Sequence, residues 1–396
     1  MSNAADEKNS QVAALLYLMG CALNGTVPLP DALADVDEGA TLALANRHSV
    51  DALVAAAVLR MPGRHDAWQG AYDGSVFRLV TMDVEREEVF AGLDALGLDY
   101  VPLKGIVLAG LYPDPAMRQM ADNDILFRCP DHAARLAVRE FMEGRGYTTQ
   151  YFEKGNEDVY LKLPVCNFEL HVEMFPKGPV DSAVEYYANV WDRVTCNGGH
   201  AYSLSPTDHY VYMVAHMFKH YVQGGCGLRT LSDVYVLTWL HGEFQDAIDH
   251  TVASRELGRM GMAKFERDMR LLAKALLAPD VCPAEVLSSF SAHEREVLAY
   301  LLGSGTYGTL EHMYANALQE TVGDTREEKL ARYVARRLFP SPGQIYSQNA
   351  AIDRHRWLLP LFYPYRLVRG VVAHREKLAG ELAFLKQEKS RAAEKG

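Results

Sequence analysis

LDYVPLKG (98–105), RQMADNDILF (118–127) and FELHVEM (168–174) are the stretches on which the fold turns. The first is a short apolar run ending at Gly105, and Ile106 to Leu111 reads as the start of a helix. YPDP (112–115) marks a turn, NDILF (123–127) a second strand, and Pro130 to Gly144 a helix closed by glycine. Tyr147–Glu153 and Asp158–Leu163 alternate about KGNE (154–157), which predicts a hairpin, and Phe168–Met174 supplies a further strand. Strands and helices interleaved over about 75 residues imply a compact α/β or α+β unit.

On either side the texture is helical. Residues 9–25, 38–61 and 64–97 carry apolar positions at helical spacing, with Leu42, Ala45, Leu53 and Val54 in the second and Trp68, Tyr72, Leu79 and Met82 in the third. From Ser205 onward helices are predicted at Thr207–Tyr221, Leu228–Leu240, 245–303, 324–338 and 354–372. A tail from His374 mixes charges of both signs on a solvated helix. The fold class is therefore α+β: a small mixed β-sheet core at 98–204 between helical regions at 1–97 and 205–396.

The chain has 396 residues, 49% of them hydrophobic and 23% charged, so disorder and low complexity are excluded. Its formal charge of −11 argues against a protein whose main task is gripping nucleic-acid backbone. Six scattered cysteines include no Cys-x-x-Cys pair, which excludes a zinc knuckle and a disulfide framework. No signal peptide and no apolar run of spanning length is visible, so no membrane is expected and a cytoplasmic location is the simplest expectation.

Side chains two apart on a strand share a face, so Asp122 and Asp124 are expected to point the same way, about 6.6 Å apart along the chain. On the last strand Glu169, His171 and Glu173 share a polar face. If that face lies beside Asp122 and Asp124, three carboxylates, Asp122, Asp124 and Glu169, converge and repel unless cations neutralise them, and oxygen ligands suit Mg²⁺. Two such ions can clamp the attacking and leaving oxygens of a displacement at phosphorus. Lys104-Gly105 ends a strand and opens a helix, a place where backbone N–H groups approach phosphate, and Lys104 or Arg118 can add charge-assisted hydrogen bonds.

Taken in order, LKG, YPDP, R-x-M-x-D-x-D, a hairpin and a strand ending in ELH resemble the uncharacterised nucleotidyltransferase family of bacteria and archaea, part of the polymerase-beta-like nucleotidyltransferase superfamily. LALANRHSV, HMFKHYVQGGCGLRTLSDV and RRLFPSP with RWLLPLFYPYRLVRG resemble its outer segments, so the resemblance runs from about residue 40 to 375. It implies that 98–204 is a nucleotidyltransferase core transferring a nucleoside monophosphate from an NTP, ATP among the possibilities, to an acceptor, with Mg²⁺ (two ions) or Mn²⁺ and release of pyrophosphate. Asp122, Asp124 and Glu169 would be the metal-binding and catalytic carboxylates, with Glu169 also placed to accept the acceptor's proton. Lys104, Gly105 and Arg118 would bind the nucleotide. The residue between the aspartates is usually apolar in the family, whereas here it is Asn123.

A second constellation, His209, His216, Lys219, His220, Arg229 and Asp233, together with His171, is expected to line the pocket or to pack. His216 and His220 stand four apart, but no Glu follows His216, so the metalloprotease pattern is absent. No Gly-x-x-x-x-Gly-Lys-Ser/Thr loop, dinucleotide fingerprint or nucleophile elbow is present. The alternatives are a catalytically silent module that senses a nucleotide or holds a protein, and a toxin that modifies tRNA. The acceptor, whether small molecule, RNA end or protein, is not legible.

Overall fold

A computed structural model describes residues 2–34, 36–178, 180–279, 281–306, 308–319, 321, 325–343, 345, 352, 354–373, 380–386 and 388–389. Residues 280 and 324, read as helical above, lie outside this set, as do 374–379, 387 and 390–396 of the tail; residues 380–386 are helical. The chain forms two compact units, Met1–Lys219 with Gly227–Thr306, and His220–Cys226 with Tyr307–Gly396.

The first unit holds a seven-stranded sheet in the order β3-β4-β5-β2-β1-β7-β6. Its strands are β1 (Tyr100–Pro102), β2 (Asn123–Phe127), β3 (Thr148–Tyr151), β4 (Glu157–Lys162), β5 (Cys166–His171), β6 (Thr195–Gly198) and β7 (Ala201–Ser203). β2 runs parallel to β5 and β1 parallel to β7, while the other neighbours are antiparallel. The protein is thus α+β with a mixed sheet. The β6–β7 hairpin is an addition to the sequence reading. TCNG and AYS are short and carry no buried apolar alternation, so no pattern announces them.

Helices α1 (Ser2–Asn24), α2 (Glu38–Arg47), α3 (Asp51–Val58) and α4 (Asp66–Ala95) precede the sheet. The helix expected over 38–61 is two helices, because Ser49 turns the chain with φ 50° between them. α5 (Gly105–Ala109), α6 (His132–Gly144) and α7 (Asp181–Tyr187) punctuate the strands, and α8 (Pro206–Gln223) and α9 (Leu228–Thr238) follow. The expected 245–303 segment is several helices, from Glu243–Asp246 to Ala292–Ser304. In the second unit, Tyr314, Leu318, Tyr333 and Phe384 form a small core, and Arg337 grips Glu381 at 2.7 and 3.0 Å.

Pleating sorts β2 and β5 into two faces. Ile125, Phe127, Cys166, Phe168 and Leu170 pack with Val89 and Leu93 of α4 and Val138 and Met142 of α6. Asn123 shares this inner face, where Arg86 Nε of α4 donates to its Oδ1 at 2.9 Å. The polar residue between the aspartates therefore ties β2 to a helix and points away from them. Asp124, Glu169 and His171 are left on the other face, and the register Asp124↔Glu169 and Leu126↔His171 sets them side by side.

Two buried imidazoles make the unit acid-sensitive. Burial, with help from Arg47, pushes His48 down to about 4; burial and Arg118 do the same to His209. From the ordinary 6.5 down to about 4 the unfolded chain takes up protons that the folded chain refuses. The stability these rings contribute is complete above pH 6.5 and is lost as pH falls toward 4. His209 sits edge-on to Phe244 at 5.6 Å, so His209→Phe keeps the packing. Urea unfolding at a series of pH values is expected to show a shallower decline for His209→Phe than for the parent; identical slopes contradict the assignment.

Candidate active site

Lys104 is the pivot between β1 and α5. It adopts φ 44° and ψ −118°, a conformation that disfavours side chains, and three contacts hold it there. Leu103 N donates to Asp124 O at 2.9 Å, Leu108 N donates to Lys104 O at 2.9 Å, and the Lys104 ammonium closes on Asp124 Oδ1. The same carboxylate oxygen lies 2.8 Å from His171 Nε2. His171 Nδ1 in turn stands 3.2 Å from Glu157 Oε2, on the paired residue of β4. The imidazole is therefore fixed between two carboxylates.

Asp124 is fully buried, and its second oxygen, Oδ2, has no hydrogen-bond partner. Burial alone would raise this carboxyl, but Lys104 and His171 more than offset it and hold it below the ordinary range. Beside it Glu169 keeps 22% of its side-chain surface exposed. Burial, then the Asp124 and Asp122 charges, pushes Glu169 up to about 8. Asp122, immediately before β2, is raised by burial and by Asp124, with Lys104, Arg229 and Arg118 acting against them. The carboxylates crowd one another, as expected of a site built around positive charge.

Asp124, Glu169 and His171 each offer a ligand atom, and these atoms all lie within 4.8 Å of one another; no other such group occurs among the described residues. The sequence reading named Asp122 as a metal ligand with Asp124 and Glu169, and His171 as pocket lining, whereas this donor group contains His171 and omits Asp122. An unpartnered carboxylate oxygen beside a second carboxylate is a donor set that fits a hard divalent cation. His171, already in contact with Asp124 Oδ1, orients that carboxylate in the manner of a supporting residue around a metal.

Arg118 and Asp233 form a separate buried pair. Arg118 Nε and Nη2 donate to the two Asp233 oxygens at 2.8 and 3.0 Å, and the Tyr112 hydroxyl donates to Oδ1 at 2.7 Å. This knot ties the turn before β2 to α9. It also explains Gly105, since a Cβ there would lie 2.7 Å from Arg118 Nη1, an atom of a guanidinium that Asp233 pins. Arg229 Nη1 donates to the Gln119 carbonyl at 3.1 Å, fastening α9 to the same turn.

On α8, Lys219 lies within electrostatic reach of Glu157, Asp124 and Glu169; burial and Lys104 lower its pKa. His216 is half-buried with its ring 6.1 Å from that of Tyr212. His209 faces Phe244 and is not in the donor group. His220 is exposed and belongs to the second unit. The sequence reading missed Glu157 and Tyr212: the first needs the β4–β5 register to be placed beside His171, and the second is one of 21 tyrosines.

The model of the uncharacterised nucleotidyltransferase family matches residues 34–278, more than half of the chain, and the protein belongs to that family. The match stops before RRLFPSP and RWLLPLFYPYRLVRG. No curated protein and no solved structure matches the chain. Among the described residues no helix is long and apolar enough to cross a membrane.

The Arg118–Asp233 pair yields a stability prediction. Asp233→Asn leaves a buried guanidinium without its counter-charge, at a cost of about 3–5 kcal/mol. Urea unfolding measures it, and a change below about 0.5 kcal/mol contradicts the structural role assigned to the pair.

Proposed function

We propose that the protein is a metal-dependent nucleotidyltransferase that moves a nucleoside monophosphate from an NTP to an acceptor hydroxyl and releases pyrophosphate. The observation that carries this reading is the Asp124 carboxylate, buried with Oδ2 unpartnered beside Glu169, in a chain of the nucleotidyltransferase family. The transfer chemistry is assigned to the mixed core at 98–204, with α8 as far as Lys219 and α9 of the same unit beside it.

Two divalent cations, Mg²⁺ or Mn²⁺, when bound supply charge neutralisation at phosphorus. Asp124 and Glu169 would hold them, with Asp122 as the further oxygen donor. Lys104 and His171 fix the Asp124 carboxylate so that Oδ2 stays directed to its ligand, which spares reorganisation during reaction. In the transfer the acceptor oxygen forms a bond to the α-phosphorus while the bond to the pyrophosphate oxygen breaks. Glu169, the more exposed carboxylate, receives the acceptor's proton. Gly105 keeps the β1–α5 turn slim against Arg118, and that pair shapes the nucleotide side of the cleft.

A silent nucleotide-sensing module is the competing reading, and it has an observation of its own: Lys104 already supplies Asp124 with a positive charge. Incubating the protein with each labelled NTP and Mg²⁺, with release of pyrophosphate or label transfer as readout, separates the two. Turnover that EDTA abolishes is the expected result. Glu169→Gln, at the less buried position, and Asp124→Asn are each expected to lower turnover by at least about a hundredfold. Full activity in Glu169→Gln, with its melting temperature unchanged, contradicts the assignment; nucleotide binding without any turnover favours the sensing module.

A further inference from the structure

Two hydrogen-bond donors on one face of α8 have no hydrogen-bond partner among the described residues. Tyr212 is fully buried, yet its hydroxyl makes no hydrogen bond. Lys219, seven residues on and half-buried, makes no hydrogen bond or ion pair among the described residues. Positions 212, 216 and 219 follow the i, i+4, i+7 spacing of a single helix face, with residues 212 and 219 about 10 Å apart in helix rise. The same charged groups act on both: Lys104, Asp124, Glu157 and Glu169.

A buried hydroxyl without a partner is costly, and the Lys219 amine lies in the field of three carboxylates without closing on one of them. Neighbouring cations have done so or found another acceptor. Lys104 is closed on Asp124, Arg118 on Asp233, and Arg229 on the Gln119 carbonyl. What remains beside the carboxylate site is a neutral donor and a cation, the combination that recognises the oxygens of a polyanion.

We propose that Tyr212 Oη and Lys219 Nζ bind oxygens of the triphosphate of the NTP, forming the α8 side of the nucleotide site. The inference rests on the nucleotidyltransferase reading above and adds which residues grip the phosphates from the helical side. Both act as donors only, so the contact is independent of the base.

Inorganic tripolyphosphate with Mg²⁺ is therefore the probe, titrated calorimetrically into the full-length chain. Lys219→Met is expected to weaken binding about 10-fold or more and Tyr212→Phe about 5-fold or more. Neither change is expected to lower the melting temperature without ligand, because neither group makes a hydrogen bond among the described residues. Parent-like affinity in both variants overturns the proposal while leaving the transferase reading intact. A parent that turns over NTP but does not bind tripolyphosphate at millimolar concentration also overturns it alone. A Tyr212→Phe variant with a clearly lowered melting temperature assigns the hydroxyl to packing and counts against it; failure of both turnover and tripolyphosphate binding removes the two readings together.

Discussion

The division of labour between the two oxygens of Asp124 is the constraint around which the site is built. A buried carboxylate must be paired, protonated or bound to a cation. Here one oxygen meets both the Lys104 ammonium and His171, while the other meets nothing. The first half keeps the group ionised, and the second leaves a ligand position. The turn at Lys104 and the β2–β5 register hold that arrangement in place: a one-residue slip of β2 would send Asp124 into the apolar face in place of Ile125, and a slip of β5 would do the same to Glu169 and His171.

The sheet's two faces are joined to helices by different chemistry. On the inner face apolar packing dominates, with one polar tie, Arg86 to Asn123. On the site face the ties run through guanidinium groups: an ion pair of Arg118 with Asp233, and a hydrogen bond from Arg229 to the Gln119 carbonyl. Charged links of this kind add little net stability but fail badly when one partner is removed, so they set position more than they add strength. They hold α9 against the turn that leads into β2. Asn123, between the two aspartates, belongs to the inner face, where it is tied to Arg86.

Much of this was legible in the chain itself. FELH alternates apolar and polar residues and NDILF is a short apolar run behind two polar residues, so the α+β class follows from pattern; that residues 124 and 169 adjoin was an expectation, and it takes the β2–β5 register to place them side by side. The β6–β7 hairpin was not legible, because TCNG and AYS are exposed or half-exposed and bury no apolar stripe. Nor was the break at Ser49, where one residue's backbone conformation splits an apparently continuous helix. In the site, residue types were readable while partners were not. Lys104 reads as a phosphate ligand in sequence and closes on Asp124 in space; Arg118 reads the same way and closes on Asp233. Those pairings depend on contacts 20 and 115 residues apart, which no local spacing encodes.

The central claim is that Asp124 and Glu169 hold a divalent cation. Anomalous diffraction from crystals soaked in Mn²⁺ tests it most directly. The account predicts a peak about 2.0–2.4 Å from Asp124 Oδ2 with a Glu169 oxygen in the same shell. Density showing no ion there, with Oδ2 satisfied by a protein donor, would contradict it.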